Sequence, residues 1–289
     1  MNGVLAAVDL GSSSRAVIDS AKVLANAIDT PMTAMHVVAD NYLRSAPRRF
    51  QEVWEPNLET LFDRVAEELV RLARKKLELL APAGTKLKLL RGNPIQEVAA
   101  EAKNHALVVL ASEGRTTLER IARGGVSRYL MHRGERVVLS ISPDQPLARI
   151  RRIGVAIDDS SAALAALKVG QQLAQAAGAE LFAFHLISTG ASSCCVPQYL
   201  PPEVLQEAGL EKKAEAVLRK ALGYDGKLVI ARGEEIEGLL DLSRDYELDL
   251  LSVGSKAKSS HWTRLGRSVV GLLYKADLPL LVVPEAAHL

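Results

Sequence analysis

The sequence predicts an α/β protein of two tandem doubly wound domains, each built on a five-stranded parallel sheet. Three observations carry that expectation. The chain of 289 residues is about twice the length of an ordinary domain, so each half can bury its own core. The halves repeat. Ala7-Val8-Asp9 matches Ala156-Ile157-Asp158, and Ala34 to Val38 matches Ala183 to Ile187, at a constant separation of 149 positions. Farther along, Arg91-Gly92 matches Arg232-Gly233 at 141, while Leu107 to Ala111 and Val137 to Ser140 match Leu250 to Gly254 and Leu280 to Val283 at 143. Finally, short Val, Leu and Ile runs alternate with longer stretches of helical period, the pattern of parallel strands buried on both faces with helices between them.

In the first half, strands are expected at Val4 to Asp9, Thr33 to Val38, Lys86 to Leu90, Leu107 to Ala111 and Arg136 to Ile141. Between the second and third, Leu58, Leu61, Phe62, Val65, Leu69, Leu72, Ala73, Leu77 and Leu80 recur at steps of three and four. That spacing predicts one long helix whose apolar stripe packs on the sheet. Asn93 before Pro94 reads as a helix cap followed by a first-turn proline. In the second half, Ser160 and Ser161 open an Ala- and Leu-rich helix that ends at Gly178, a C-terminal glycine signal. The short polar stretch from Ile141 to Ile150 carries Pro143 and Pro146 and reads as the linker. Residues 1–146 are then the first domain and 147–289 the second.

Composition removes several classes of function. With 48% hydrophobic and 24% charged residues, the chain fits a globular protein and neither a disordered nor a fibrous one. Its 36 basic against 34 acidic residues leave a formal charge of +2, far from the basic excess that phosphate-backbone contacts draw on, so nucleic acid is not an expected partner. Two cysteines cannot build a disulfide framework or a four-cysteine zinc site, and the usage suits a reducing cytosol. No apolar run reaches the ~18 residues of a membrane span. Asp9 interrupts the place where a signal peptide would be apolar, so a cytoplasmic protein without a membrane partner is expected.

In open parallel sheets, ligands bind beyond the carboxyl ends of the strands. The candidates therefore lie in three loops: Asp9-Leu10-Gly11-Ser12-Ser13-Ser14 after the first strand, His36-Val37-Val38 at the second, and the stretch from Ala111-Ser112-Glu113-Gly114-Arg115 to Arg123-Gly124-Gly125-Val126-Ser127 after the fourth. The glycine pair opens a helix, where free backbone N–H groups and the helix dipole favour a phosphate. Gly124 and Gly125 allow close backbone approach, and Ser127 supplies a hydroxyl in the first turn. Each feature also has a plainer role: Asp9 and Asp158 as helix caps, His36 and His185 as satisfied core histidines, and the glycine pair as a turn. Cys194-Cys195 reads as a passive surface pair rather than a redox switch. Arg44, Arg48 and Arg49 with Tyr42, Phe50 and Trp54 read as an exposed lid rather than a patch for an anionic partner.

Taken together, AAVDLGSSSRAVIDSAKVLANAIDTPMTAMHVVAD, RGNPIQEVAAEAKNHALVVLASEGRTTLERIARGGVSRYLMHRGERVVLSISP and their second-half counterparts resemble the universal stress protein family in its tandem two-domain form, over essentially the whole chain. The resemblance implies Rossmann-like domains of the adenine nucleotide alpha hydrolase-like type and a nucleotide motif, G-2x-G-9x-G-[S/T], after the fourth strand. Copy one reads Ala111-2x-Gly114-9x-Gly124-Gly125 and copy two Gly254-2x-Ala257-9x-Arg267-Ser268, so neither is intact and each keeps what the other lost. Carried over, the family's site puts Asp9 at the adenine and ribose end, gives the Val37 backbone to the adenine, and has Gly114, Gly124, Gly125, Val126 and Ser127 hold ribose and phosphates. The counterparts are Asp158, Leu186, Gly254, Arg267, Ser268 and Val269. Arg267 is expected either to crowd the phosphate or to neutralise it, so copy one is the expected better site.

The function the resemblance implies is a cytoplasmic module that binds ATP or AMP, with Mg²⁺ as an accompanying ion, in a stress response. Its rivals are a ligand-free interaction scaffold and a weak ATPase or self-phosphorylating protein. No Walker A loop, S-G-G-x-D-S or H-x-G-H signature is present, and no carboxylate beyond Asp9 is placed to hold Mg²⁺, so an enzyme is the weakest of the three readings. The halves are expected to form an intramolecular pseudo-dimer by antiparallel pairing of Val137 to Ile141 with Leu280 to Val283, since in that family the last strand usually pairs with that of a second subunit. A homodimer is the further assembly the resemblance allows.

Overall fold

The computed structural model describes residues 3–39, 57–111, 125–187, 209–256 and 266–287. In chain order the first half holds β1 (Val4–Ala7), α1 (Ser14–Ala27), β2 (Met32–Val38), α2 (Asn57–Leu80), β3 (Lys86–Arg91), α3 (Pro94–Ala102), β4 (Leu107–Ala111), α4 (Val126–Arg133) and β5 (Val137–Ile141). The second half holds β6 (Arg152–Ala156), α5 (Ser161–Ala177), β7 (Glu180–Ile187), α6 (Leu210–Leu222), β8 (Lys227–Arg232), α7 (Glu235–Asp245), β9 (Leu250–Ser255), α8 (Arg267–Lys275) and β10 (Leu280–Pro284).

All ten strands form one sheet in the order β3-β2-β1-β4-β5-β10-β9-β6-β7-β8. Each half is parallel, and the two expected sheets join where β10 runs antiparallel to β5. That seam pairs two strands that would otherwise be open edges. Strand residues alternate between the faces. Val4, Ala6, Leu107 and Val109 join one apolar cluster, and Leu5, Ala7, Val108 and Leu110 the other. Each cluster continues across the seam, the first to Ile153 and Val155, the second to Leu251 and Val253. The core is therefore divided by sheet face, not by domain.

Local signals are met where capping chemistry is explicit. Asn93 accepts from the Ile95 N–H at 2.9 Å, with Pro94 opening α3. Ser160 accepts from the Ala163 N–H at 3.2 Å at the start of α5, and Gly178 closes it at φ 65°. Of the stripe expected on α2, Ala73, Leu77 and Leu80 lie on the packed face, Val65, Leu69 and Leu72 do not, and the side chains of Leu58, Leu61 and Phe62 lie outside the described residues. Ala66, Ala73 and Leu77 are buried, with Val70 and Leu80 packed beside them, whereas Val65, Leu69 and Leu72 are 42%, 45% and 49% exposed. Alanines let the helix approach the sheet closely, so their row wins over the row of larger side chains.

The stretch between the halves is packed onto the core. Leu147 and Ile150 are buried in the first cluster, and the Leu147 N–H donates to Ser20 Oγ at 2.9 Å. The Asp249 carboxylate accepts from Arg149 Nε at 3.1 Å, from the Arg151 N–H at 2.8 Å and from the Arg152 N–H at 3.1 Å. The proposed boundary between residues 146 and 147 thus falls inside a packed connector.

Candidate functional site

In each half the strand order reverses between the first and fourth strands (β1/β4 and β6/β9), the switch point at which open α/β sheets take ligands. A cleft of about 700 Å³ opens there in the first half, reaching from the end of β1 across His36 and Val37 to Ala111, Val126 and Ser127. Asp9, Val37, Ala111, Val126 and Ser127 are therefore brought together as expected.

Asp9 shapes the loop that forms one wall. Its Oδ1 accepts from the Gly11 N–H at 2.7 Å and from Ser14 Oγ at 3.0 Å. A Cβ on Gly11 would stand 3.0 Å from both carboxylate oxygens, so glycine lets the carboxylate lie against the backbone. Between them Leu10 adopts φ 63°, a left-handed conformation that costs a branched residue about 1–3 kcal/mol. Asp9 is not the cap of α1, whose N-cap is Ser13 without a side-chain cap; its carboxylate instead braces the loop before the helix and lines the cleft.

The opposite wall is the start of α4. Gly125 is its N-cap, extended at φ −71° and ψ 159°, and makes no side-chain cap. The first helical bond runs from the Tyr129 N–H to the Gly125 carbonyl at 3.1 Å. The N–H groups of Val126, Ser127 and Arg128 therefore have no acceptor within the helix, and the helix dipole adds partial positive charge there.

His36 and His185 differ from buried core histidines in being half-buried cleft residues. His36 Nδ1 donates to the Val8 carbonyl at 2.8 Å, and His185 Nδ1 to the Ile157 carbonyl at 2.9 Å. The pair of bonds clamps the first strand of each half to its neighbour just past the last ladder residue.

The second-half cleft is about 350 Å³ and is lined by Asp158, Leu186, Gly254, Ser268 and Val269, with Glu235, Lys256 and Gly266. Asp158 Oδ1 accepts from the Ser160 N–H at 2.9 Å. A Cβ on Gly254 would lie 2.3 Å from the Ala162 carbonyl oxygen, so this glycine serves the close packing of α5 on β9. Ala111 holds the matching position in the first half.

Register corrects the alignment of the last helix and strand. Val137 pairs with Leu107, whereas Leu280 pairs with Leu251, not Leu250. The halves therefore correspond at 142 positions through this region, one fewer than the sequence spacing suggested, and Pro279 matches Val137. By that count Gly266 answers to Gly124 and Arg267 to Gly125. Gly266 is the N-cap of α8, and Arg267 is its exposed first residue. The lining residues at that helix start are Gly266, Ser268 and Val269, and Arg267 is not among them.

Gly114, Gly124 and Ala257, the pair Cys194 and Cys195, and the group Tyr42, Arg44, Arg48, Arg49, Phe50 and Trp54 lie outside the described residues. Among the described residues no three His, Cys, Asp or Glu gather where they could hold a metal ion. Asp9 Oδ1 is turned to Gly11 and Ser14. No described helix is long and apolar enough to cross a membrane. Lys76 of α2 and Lys256 beyond β9 are cleft residues without a sequence signal, and Leu69 and Leu72, expected on the face packed against the sheet, line the cleft.

A sequence model of the universal stress protein family matches residues 1–141 and 149–284. A universal stress protein of Mycobacterium tuberculosis is 27% identical over 187 residues, 64% of this chain and 63% of that protein, and one of Mycobacterium bovis matches equally. The aligned part of the chain thus spans under two thirds of those relatives' length. Among solved structures, a universal stress protein from Archaeoglobus fulgidus has a TM-score of 0.65 at 19% identity, covering 99% of both chains. A functionally unknown protein from Pseudomonas aeruginosa has a TM-score of 0.63 at 14% identity, covering 99% of this chain and 93% of that one. At those identities the likeness is one of fold.

Proposed function

The chain belongs to the universal stress protein family, and from that premise we propose that its first half binds an adenine nucleotide, ATP or AMP, as a regulatory module of a cytoplasmic stress response. The observation that carries this reading is the cleft of about 700 Å³, which runs from the strand ends of Val37 and Asp9 to the uncapped start of α4. Its size falls in the ~300–1,000 Å³ range of small-molecule sites. A phosphate suits the α4 end, where the amides after Gly125 and the Ser127 hydroxyl all donate, because negative charge there meets both free donors and the helix dipole. The base and ribose then lie toward Val37 and Asp9.

The same site is poorly equipped for turnover. Phosphoryl transfer draws on bound metal, a positioned nucleophile and a cation on the leaving charge, and the described cleft residues combine donors without a metal cage. The protein therefore acts by holding nucleotide, with the second half as the smaller site. Mass analysis of small molecules released from purified, denatured protein tests this. Recovery of ATP or AMP is expected, with phosphate release far below the roughly 1 per second of ordinary kinases. Protein that emerges empty and retains no added nucleotide through gel filtration would overturn the reading in favour of an interaction scaffold.

A further inference from the structure

We propose that His36, and in the second half His185, present the imidazole Nε2 to the ligand as a hydrogen-bond acceptor, so that each cleft selects ligands carrying an N–H or O–H donor at that point. For the first half this rests on the nucleotide reading above.

Geometry fixes the tautomer of both rings. His36 Nδ1 lies 2.8 Å from the Val8 carbonyl oxygen and His185 Nδ1 lies 2.9 Å from that of Ile157. A carbonyl oxygen only accepts, so each Nδ1 must carry the proton, and in a neutral ring Nε2 is then a bare acceptor. Both rings line their clefts. With Nδ1 committed to the backbone, Nε2 is the one polar atom each side chain has left to offer a ligand.

The backbone it binds is itself fixed. The Val8 N–H donates to the Met35 carbonyl at 2.9 Å and the Ile157 N–H to the Phe184 carbonyl at 2.8 Å. Each histidine thus leans on a residue anchored to the strand that carries it, which sets the ring's direction. The same bond recurs in both halves although the cleft walls differ, with Leu69, Leu72 and Lys76 in the first cleft and Glu235 and Lys256 in the second.

The cleft's other polar groups explain why an acceptor matters. The amides of α4 and the Lys76 ammonium donate, and Asp9 Oδ1 is taken by Gly11 and Ser14, which leaves Asp9 Oδ2 and the Ser13 and Ser127 hydroxyls as the other side-chain acceptors of the lining beside His36 Nε2. A phosphate needs only the donors. An amine or hydroxyl elsewhere on the ligand needs an acceptor, which Nε2 supplies.

Two variants of the full chain separate this role from the clamp, with AMP as the probe. His36→Asn keeps an amide nitrogen where Nδ1 stood and deletes Nε2. His36→Gln reaches the Nε2 position and gives up the bond to Val8. The expected result is that His36→Asn unfolds at the wild-type urea midpoint but binds AMP about five- to tenfold more weakly, the scale of one net hydrogen bond, with binding of inorganic phosphate unchanged. His36→Gln should lose stability and keep AMP affinity within about twofold. Wild-type AMP affinity in His36→Asn would overturn the proposal. Should that variant fail to fold, ¹⁵N spectra of the wild-type histidine rings decide, since the His36 Nε2 resonance must move on AMP addition. A Ser127 amide that responds while Nε2 stays still overturns this inference alone, and no response at any residue overturns it together with the nucleotide reading.

Discussion

Leu139 of β5 lies directly opposite Leu281 of β10, and neither exposes any surface. The two are 142 positions apart, the same separation that relates the last strands of the halves, so this pair marks the pseudo-twofold axis. Around it Val138 faces Val282 and Ser140 faces Leu280. Because both core clusters cross the seam, the halves should unfold together. Leu139→Ala and Leu281→Ala should each cost about 2–5 kcal/mol in a single urea transition. Two separate transitions, or a loss below about 1 kcal/mol, would show that the halves are energetically independent.

Gly254→Ala places a methyl 2.3 Å from the Ala162 carbonyl oxygen, backbone that has no rotamer with which to retreat. Overpacking of that kind costs about 1–3 kcal/mol. In the first half Ala111 already carries that methyl, so Ala111→Gly should cost no more than about 0.5–1 kcal/mol, the backbone entropy of glycine in a strand. Urea midpoints of the two variants check the asymmetry, and equal losses would contradict it.

Glu101, 7% exposed, takes hydrogen bonds from Lys88 Nζ and, at 3.2 Å, from Asn104 Nδ2. Burial is the largest single influence and opposes its ionisation. The Lys88 and Asn104 hydrogen bonds with the charges of Lys88 and His105 outweigh it and hold the carboxyl below its ordinary value of 4.5. A carboxyl that titrates lower when folded contributes stability that is fully present above its unfolded value and is lost as pH falls through the folded one. Glu101→Gln should therefore cost about 1–3 kcal/mol at pH 7, and the gap to wild type should close as pH drops below 4.5. A gap that stays constant down to pH 3 would sink the assignment.

Asp249 ties the connector down through Arg149 Nε and the N–H groups of Arg151 and Arg152. Asp249→Ala leaves two backbone donors at the entry to β6 without their acceptor, at a cost of about 1–3 kcal/mol. Trypsin should then cut after Arg149 or Arg151 faster than in wild type. Unchanged cleavage rates would mean that Leu147 and Ile150 hold the connector unaided.

How far the sequence discloses all this varies with what each element depends on. The strands of the first half are legible because parallel strands buried on both faces must be apolar almost without interruption, as in Leu107 to Ala111. The face of α2 is not. Val65, Leu69 and Leu72 share helical spacing with Ala66, Val70, Ala73 and Leu77, and only the fit against β2 and β3 decides which row goes inside. Asp9, Val37 and Ser127 could be placed because strand ends and helix starts are local features. Arg267 could not, since a one-residue shift before α8 becomes visible only when Leu280 pairs with Leu251. The bond from His36 to Val8 joins residues 28 apart and belongs to the tertiary structure alone.

Calorimetric titration of ATP into the full chain, wild type against Gly125→Arg and Gly266→Arg, tests the central claim most directly. Gly125 and Gly266 are the N-caps of α4 and α8, so each arginine would stand at one proposed phosphate position and leave the other untouched. ATP should bind the wild type most tightly in the first half, and Gly125→Arg should remove this binding while Gly266→Arg preserves it. Full-strength binding in Gly125→Arg, with loss in Gly266→Arg or in neither variant, would contradict the claim.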